Sequence, residues 1–187
     1  MPKSRSHAPL LIAVAALAFP FAAHAGGFKD AGDSDVSFRA KGPAGMKIVG
    51  TAGDIKAEEK SGKLLIKVSA KSLKTGIGLR DKHLRGYIEA DKCPEITFEV
   101  ERSKLKLPAN DKEITADVTG NFTLHCVTKP MTVHYTAKRT GSDYHVQAFP
   151  TKQLDIRDHG VSVPSYLGVT VQPNIDLKIK FKLRDVP

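Results

Sequence analysis

From Asn174 to Leu183, apolar and charged positions alternate without a break. Ile175, Leu177, Ile179, Phe181 and Leu183 interleave with Asp176, Lys178, Lys180 and Lys182. Successive strand side chains point to opposite faces, so a period of two predicts a strand with one dry face and one wet face. A helix would spread the same residues around its circumference. Such a strand needs partners for both backbone edges and a cover for its apolar face.

The same period recurs upstream. Val36-Ser37-Phe38 begins a short strand that Gly42-Pro43 stops, and Met46 to Ala57 reads as a second strand with glycines at 45, 50 and 53. Ser61-Gly62 is a hairpin turn into Lys63 to Ala70, where Leu64, Ile66 and Val68 share a face. Ile96, Phe98 and Val100 form the next apolar face, and Val118, Phe122 and Leu124 another within Ile114 to Cys126. Thr128-Lys129-Pro130 is expected to turn the chain into Met131 to Ala137, with Val133 and Tyr135 inward. Gly141-Ser142-Asp143 turns it into Tyr144 to Phe149, with Val146 inward. Gly26 to Asp33 reads as a loose arm, and Leu154 to Gly168 as a polar connection.

One region breaks the pattern. Leu84, Tyr87 and Ile88 stand at i, i+3 and i+4, which predicts a short amphipathic helix over Arg80 to Ala90, with Asp81 serving its N-terminus. The whole is an all-β chain of roughly eight short, mostly hairpin-connected strands with one short helical segment. Such strands close naturally as an antiparallel barrel, about wide enough to fill with side chains or to hold one small ligand.

The N-terminus is of another kind. Lys3 and Arg5 precede an apolar run from Ala8 to Ala23, and Ala23-His24-Ala25 carries small residues where a signal peptidase cuts. This predicts a secretory signal peptide over 1–25 and one exported mature domain over 26–187. Removing Lys3 and Arg5 from the 29 basic residues leaves 27 against 20 acidic ones. The excess is spread along the strands, with few aromatics between, so nucleic-acid binding is not expected. A solvated, edge-protecting lysine surface is the reading preferred, with at most transient contact with anionic membrane.

Catalytic readings fare poorly. Asp81 and His83 are two apart on a helix and do not share a face. The histidines at 83, 125, 134, 145 and 159 lack metal-ligand spacing, and no cofactor is expected. Cys93 and Cys126, an even count in an exported chain, point to a disulfide. Both lie equally far from the turn at Ala109-Asn110. Face parity objects, since it puts Cys126 inward and Cys93 outward; a bulge or the kink at Pro94 would reconcile them.

Four stretches carry a resemblance. Val68-Ser69-Ala70-Lys71-Ser72-Leu73, Arg80-Asp81-Lys82-His83-Leu84-Arg85 and Lys92-Cys93-Pro94-Glu95-Ile96-Thr97-Phe98 resemble the central motifs of the YceI-like family. Gly120-Asn121-Phe122-Thr123-Leu124-His125-Cys126-Val127-Thr128-Lys129-Pro130 resembles its second signature. The resemblance implies a lipocalin-like barrel, usually periplasmic, whose apolar cavity binds a polyisoprenoid or another lipid-like molecule, and it does not imply an enzyme. Periodicity alone favours an ordinary packed core; the resemblance turns the inward set into candidate ligand contacts. That set is Phe38, Ile48, Leu64, Ile66, Val68, Phe98, Val100, Phe122, Leu124, Val133, Tyr135, Val146, Ile175, Leu177, Ile179 and Phe181, with Leu84 and Tyr87 on a helical lid. The partner expected is a lipid-like hydrophobic small molecule, with a homodimer left open. The rival classes are a filled barrel acting as a stress-related interaction protein, and a small enzyme using His83 or His159.

Overall fold

The computed structural model describes residues 27–166 and 169–186. The expected signal peptide over 1–25 lies outside them. The strands are β1 (Gly27–Asp30), β2 (Asp35–Lys41), β3 (Lys47–Ala52), β4 (Ile55–Lys60), β5 (Lys63–Ser69), β6 (Glu95–Glu101), β7 (Glu113–Leu124), β8 (Val127–Thr140) and β9 (Asp143–Pro150). After them come the short β10 (Leu154–Asp155), β11 (Ser165–Tyr166) and β12 (Val169–Thr170), and the long β13 (Asn174–Val186). An α-helix, α1 (Gly78–Tyr87), lies between β5 and β6.

β1, β4, β5, β6, β7, β8, β9 and β13 form a closed antiparallel ring. The alternating strand singled out by its pattern, β13, closes it. Its C-terminal half pairs with β9 on one edge (Phe181 opposite Val146) and with β1 on the other (Leu183 opposite Asp30). Its N-terminal half pairs with β2, Leu177 facing Phe38. β1 and β2 are thus one interrupted strand along the same edge of β13, broken where Gly32 and Asp33 take positive φ.

Three expectations are corrected here. The loose arm at Gly26 to Asp33 is largely the closing strand β1, and its Phe28 is buried to 1% exposure. Four residues with one apolar side chain carry too little periodicity to announce a strand. The expected strand from Met46 to Ala57 is two strands, β3 and β4, separated at Gly53-Asp54, where Asp54 has a φ of 52°. The turn expected at Thr128-Lys129-Pro130 sits earlier, at His125-Cys126, both with positive φ. Pro130 lies inside β8, ahead of the point where β9 begins to pair with it at Val133, so one edge of the strand is open there.

The break between β3 and β4 shapes the molecule. β4 continues the ring by pairing with β5, whereas β3 meets the chain beyond β5 through a bridge from Thr51 to Lys74. The gap this leaves at one end of the barrel is occupied by residues 73–75 and α1. The opposite end is shut. The guanidinium of Arg102 lies 4.2 Å over the Phe28 ring and pairs with Glu59 at 2.6 Å. The Tyr135 hydroxyl, rising from inside, accepts from the Lys106 amide at 2.8 Å and donates to the Lys106 carbonyl at 2.9 Å.

Candidate ligand-binding site

The inward faces of these strands do not meet across the whole interior. Toward the shut end they enclose about 70 Å³, lined by apolar side chains together with Tyr135 and Tyr144. Toward the helix end they leave a cavity of about 570 Å³. That volume falls in the range of roughly 300–1,000 Å³ typical of small-molecule sites. Phe98, Phe122, Ile66, Leu177 and Ile179 line both spaces and form the floor of the larger one. Ile175, Leu177 and Ile179 line the cavity along β13, a depth of roughly 13 Å at strand rise.

The expected contacts divide accordingly. Phe38, Ile48, Ile66, Val68, Leu84, Tyr87, Phe98, Phe122, Leu124, Ile175, Leu177 and Ile179 line the cavity. Leu64, Val100, Val133, Tyr135, Val146 and Phe181 do not; they pack the shut end. Parity placed both sets inward correctly but carries no information on depth. Sequence reasoning missed Leu73, Leu154, Ile156 and Val161, all buried along the wall, and Met46, Ile77 and Leu79 at its rim. Leu154, Ile156 and Val161 belong to the connection read as polar; their spacing of two and five matches neither a strand nor a helix for long enough to register.

Two glycines let the aromatic floor and wall form. Phe38 stands opposite Gly50 in the β2–β3 ladder and its ring covers that glycine, where a Cβ would also meet the Lys74 carbonyl at 2.7 Å. Phe98 lies over Gly120, where a Cβ would stand 2.6 Å from its ring and 2.5 Å from the Glu99 carbonyl.

Helix α1 spans Gly78–Tyr87 rather than Arg80 to Ala90; residues 88–90 are a turn, and Glu89 takes a positive φ. Asp81 stands in its first turn but does not cap it. Its carboxylate accepts from the Thr75 amide at 2.6 Å and from the Thr75 hydroxyl. The Thr75 hydroxyl hydrogen bond, with that of the amide and the charges of Arg85 and Arg80, holds the Asp81 carboxyl below the usual carboxylate range. Arg80 donates to the Thr75 hydroxyl at 2.7 Å and to its carbonyl at 2.8 Å. The charged cluster thus straps the helix to the loop before it. Across the mouth, the Tyr87 hydroxyl donates to the Ser165 carbonyl at 3.1 Å and accepts from the Ser165 amide at 3.2 Å, joining α1 to the β11–β12 hairpin.

Cys93 and Cys126 are bonded, with Cα atoms 5.4 Å apart. Neither lies in a strand. Cys93 follows the turn after α1 and Cys126 is the second corner residue of the β7–β8 turn, so face parity does not govern them. Beside them, buried His159 donates from Nδ1 to the Val127 carbonyl at 2.8 Å, and its ring stands edge-on to Phe122 at 5.3 Å. His125 donates to the His159 carbonyl at 3.0 Å. These histidines hold the cavity wall together.

The chain is similar to known proteins over most of its length. The family description "YceI-like domain" matches residues 29–183. A UPF0312 protein of Pseudomonas savastanoi pv. phaseolicola is 33% identical over 132 residues, 67% of this chain and 64% of that protein. A UPF0312 protein of Vibrio parahaemolyticus is 37% identical over 97 residues, 49% of each. The chain therefore spans about two thirds or less of the length of these relatives. Among solved structures, a polyisoprenoid binding domain from Saccharophagus degradans superposes with a TM-score of 0.69 at 12% identity, covering 85% of this chain and 98% of that one. BcnA of Burkholderia cenocepacia superposes with a TM-score of 0.62 at 17% identity, covering 82% and 96%. At these identities the structural likeness speaks for the barrel, while the match over 29–183 speaks for descent: the chain belongs to the YceI-like family.

Proposed function

We propose that this chain binds a long, lipid-like hydrophobic molecule, a polyisoprenoid or a similar chain, inside the barrel, and that it is a binding protein rather than an enzyme. The observation that carries this reading is the cavity of about 570 Å³ with an almost wholly hydrocarbon wall. Each methylene transferred from water to such a wall gains about 0.8 kcal/mol, so a hydrocarbon chain needs little polar recognition. Thr75, Arg80 and Asp81, at the start of α1 and in the loop before it, are committed to one another. The Saccharophagus protein that shares the fold is described as polyisoprenoid binding, which supports the same class of ligand here.

Sequestration or carriage of that ligand in the periplasm is the cellular role that fits. The apolar N-terminal run supports export, and the Cys93–Cys126 bond suits an oxidising compartment. Organic extraction of purified protein followed by mass spectrometry tests the reading directly. One equivalent of a lipid-like compound is expected, with rebinding of a fluorescent prenyl or acyl probe after its removal. Protein that is empty on isolation and takes up neither probe would overturn it.

A further inference from the structure

Six large apolar side chains are exposed among the described residues, and three of them, Met46, Ile77 and Leu79, sit together on the rim of the cavity. Their exposures of 43%, 55% and 56% mean that each faces water as well as the opening. They come from separate elements, Met46 from the turn between β2 and β3 and Ile77 and Leu79 from the N-terminus of α1, so local sequence does not explain why they gather.

The charge around this rim is equally one-sided. Residues 40–49 and 74–85, which carry the three apolar groups, contain Lys41, Lys47, Lys74, Arg80, Lys82 and Arg85. The one acid in these two segments is Asp81, buried and engaged by Thr75. Lys41 and Lys47 stand directly opposite one another in the β2–β3 ladder, and like charges so placed repel in water. At the shut end several basic groups are paired with acids: Arg102 with Glu59, Lys104 with Glu101, and Lys182 and Arg184 with Asp143. The rim segments thus set six basic residues against one buried acid, beside their exposed apolar groups.

We propose that the cavity mouth docks on an anionic lipid bilayer, with Met46, Ile77 and Leu79 sinking to headgroup level and the surrounding lysines resting on lipid phosphates. Apolar side chains and basic groups on one face are what an interfacial anchor combines. Docked this way, the opening faces the acyl region, and a hydrophobic ligand passes between bilayer and cavity without crossing water. That last step rests on the function proposed above; the docking itself does not.

Sedimentation of the ligand-free protein with vesicles of phosphatidylcholine containing a minor fraction of phosphatidylglycerol tests the proposal, with pure phosphatidylcholine as the comparison. Binding is expected to the anionic vesicles alone, weakening with added salt. About a tenfold loss is expected for Lys41→Glu/Lys47→Glu and for Ile77→Ser/Leu79→Ser, and little for Lys104→Glu/Lys112→Glu at the shut end. The chain has no tryptophan, so Leu79→Trp supplies a single reporter whose emission should shift to the blue only with anionic vesicles. Equal binding to both vesicle types, equal loss from shut-end variants, or an unshifted Leu79→Trp emission would overturn the docking face. So would mouth variants that lose a protein partner while vesicle binding persists. Vesicle binding by a protein that holds no lipid would remove the cavity reading and leave the docking in place.

Discussion

Phe98 on β6 and Phe122 on β7 stand directly opposite one another in the ladder, and each lines both the large cavity and the small space beneath it. They partition the barrel into a hollow half and a filled half. Phe98→Ala is expected to merge the two spaces at a cost of about 3 kcal/mol, the usual loss for a buried phenylalanine. Urea denaturation measures the cost, and the chain length of co-purified lipid should shift upward. Unchanged ligand length in a folded variant would mean that the floor does not set capacity.

Gly120→Ala probes the same floor from the other side. The new methyl has no room between the Phe98 ring and the Glu99 carbonyl, so about 1–3 kcal/mol of overpacking is expected, with the cavity reduced. Thermal unfolding checks the stability, and titration with an acyl probe checks the cavity.

Tyr87 joins the helix to the β11–β12 hairpin through both backbone polar groups of Ser165. Tyr87→Phe removes that link and leaves the ring. A stability loss of about 1 kcal/mol or less is expected, because water replaces the partner at this exposed site. Release of a bound fluorescent probe should quicken severalfold if the two elements close the mouth together. Stopped-flow displacement reads this rate, and an unchanged rate would assign the opening to other elements.

The Cys93–Cys126 bond closes a loop with a sequence separation of 33. Chain-entropy arithmetic puts its contribution at about 3–4 kcal/mol. Cys93→Ser/Cys126→Ser should lose that amount in urea, and the wild type should lose the same on reduction. Thiol titration of the unfolded, unreduced protein should find no free thiol.

Asp143 accepts from Arg184 Nε at 2.7 Å and lies 2.9 Å from Lys182 Nζ. The Arg184 and Lys182 hydrogen bonds hold its carboxyl far below the ordinary range. A carboxyl depressed by folding contributes stability above its unfolded value of about 3.9, and loses it as pH falls toward the lower folded value. Asp143→Asn should therefore unfold at lower urea than the wild type at neutral pH. The gap should narrow below about pH 3.9 and close at the acid limit. A gap independent of pH would show that lost packing, not charge, is responsible.

The alternation of Ile175 to Leu183, Leu64 to Val68 and Ile96 to Val100 was enough to determine a barrel with a known inward face, because strand parity is a local property of the backbone. The helix was legible from Leu84, Tyr87 and Ile88, and the pairing of the cysteines from their count. Tertiary structure alone decided which inward residues face a cavity. Leu64 and Ile66 share a face and a strand, yet Leu64 packs the shut end and Ile66 reaches the hollow one. The difference arises because β3 turns away from β5 at Asp54 while β1 closes the other end with Phe28. Both events depend on contacts between residues distant in sequence, which no local period records.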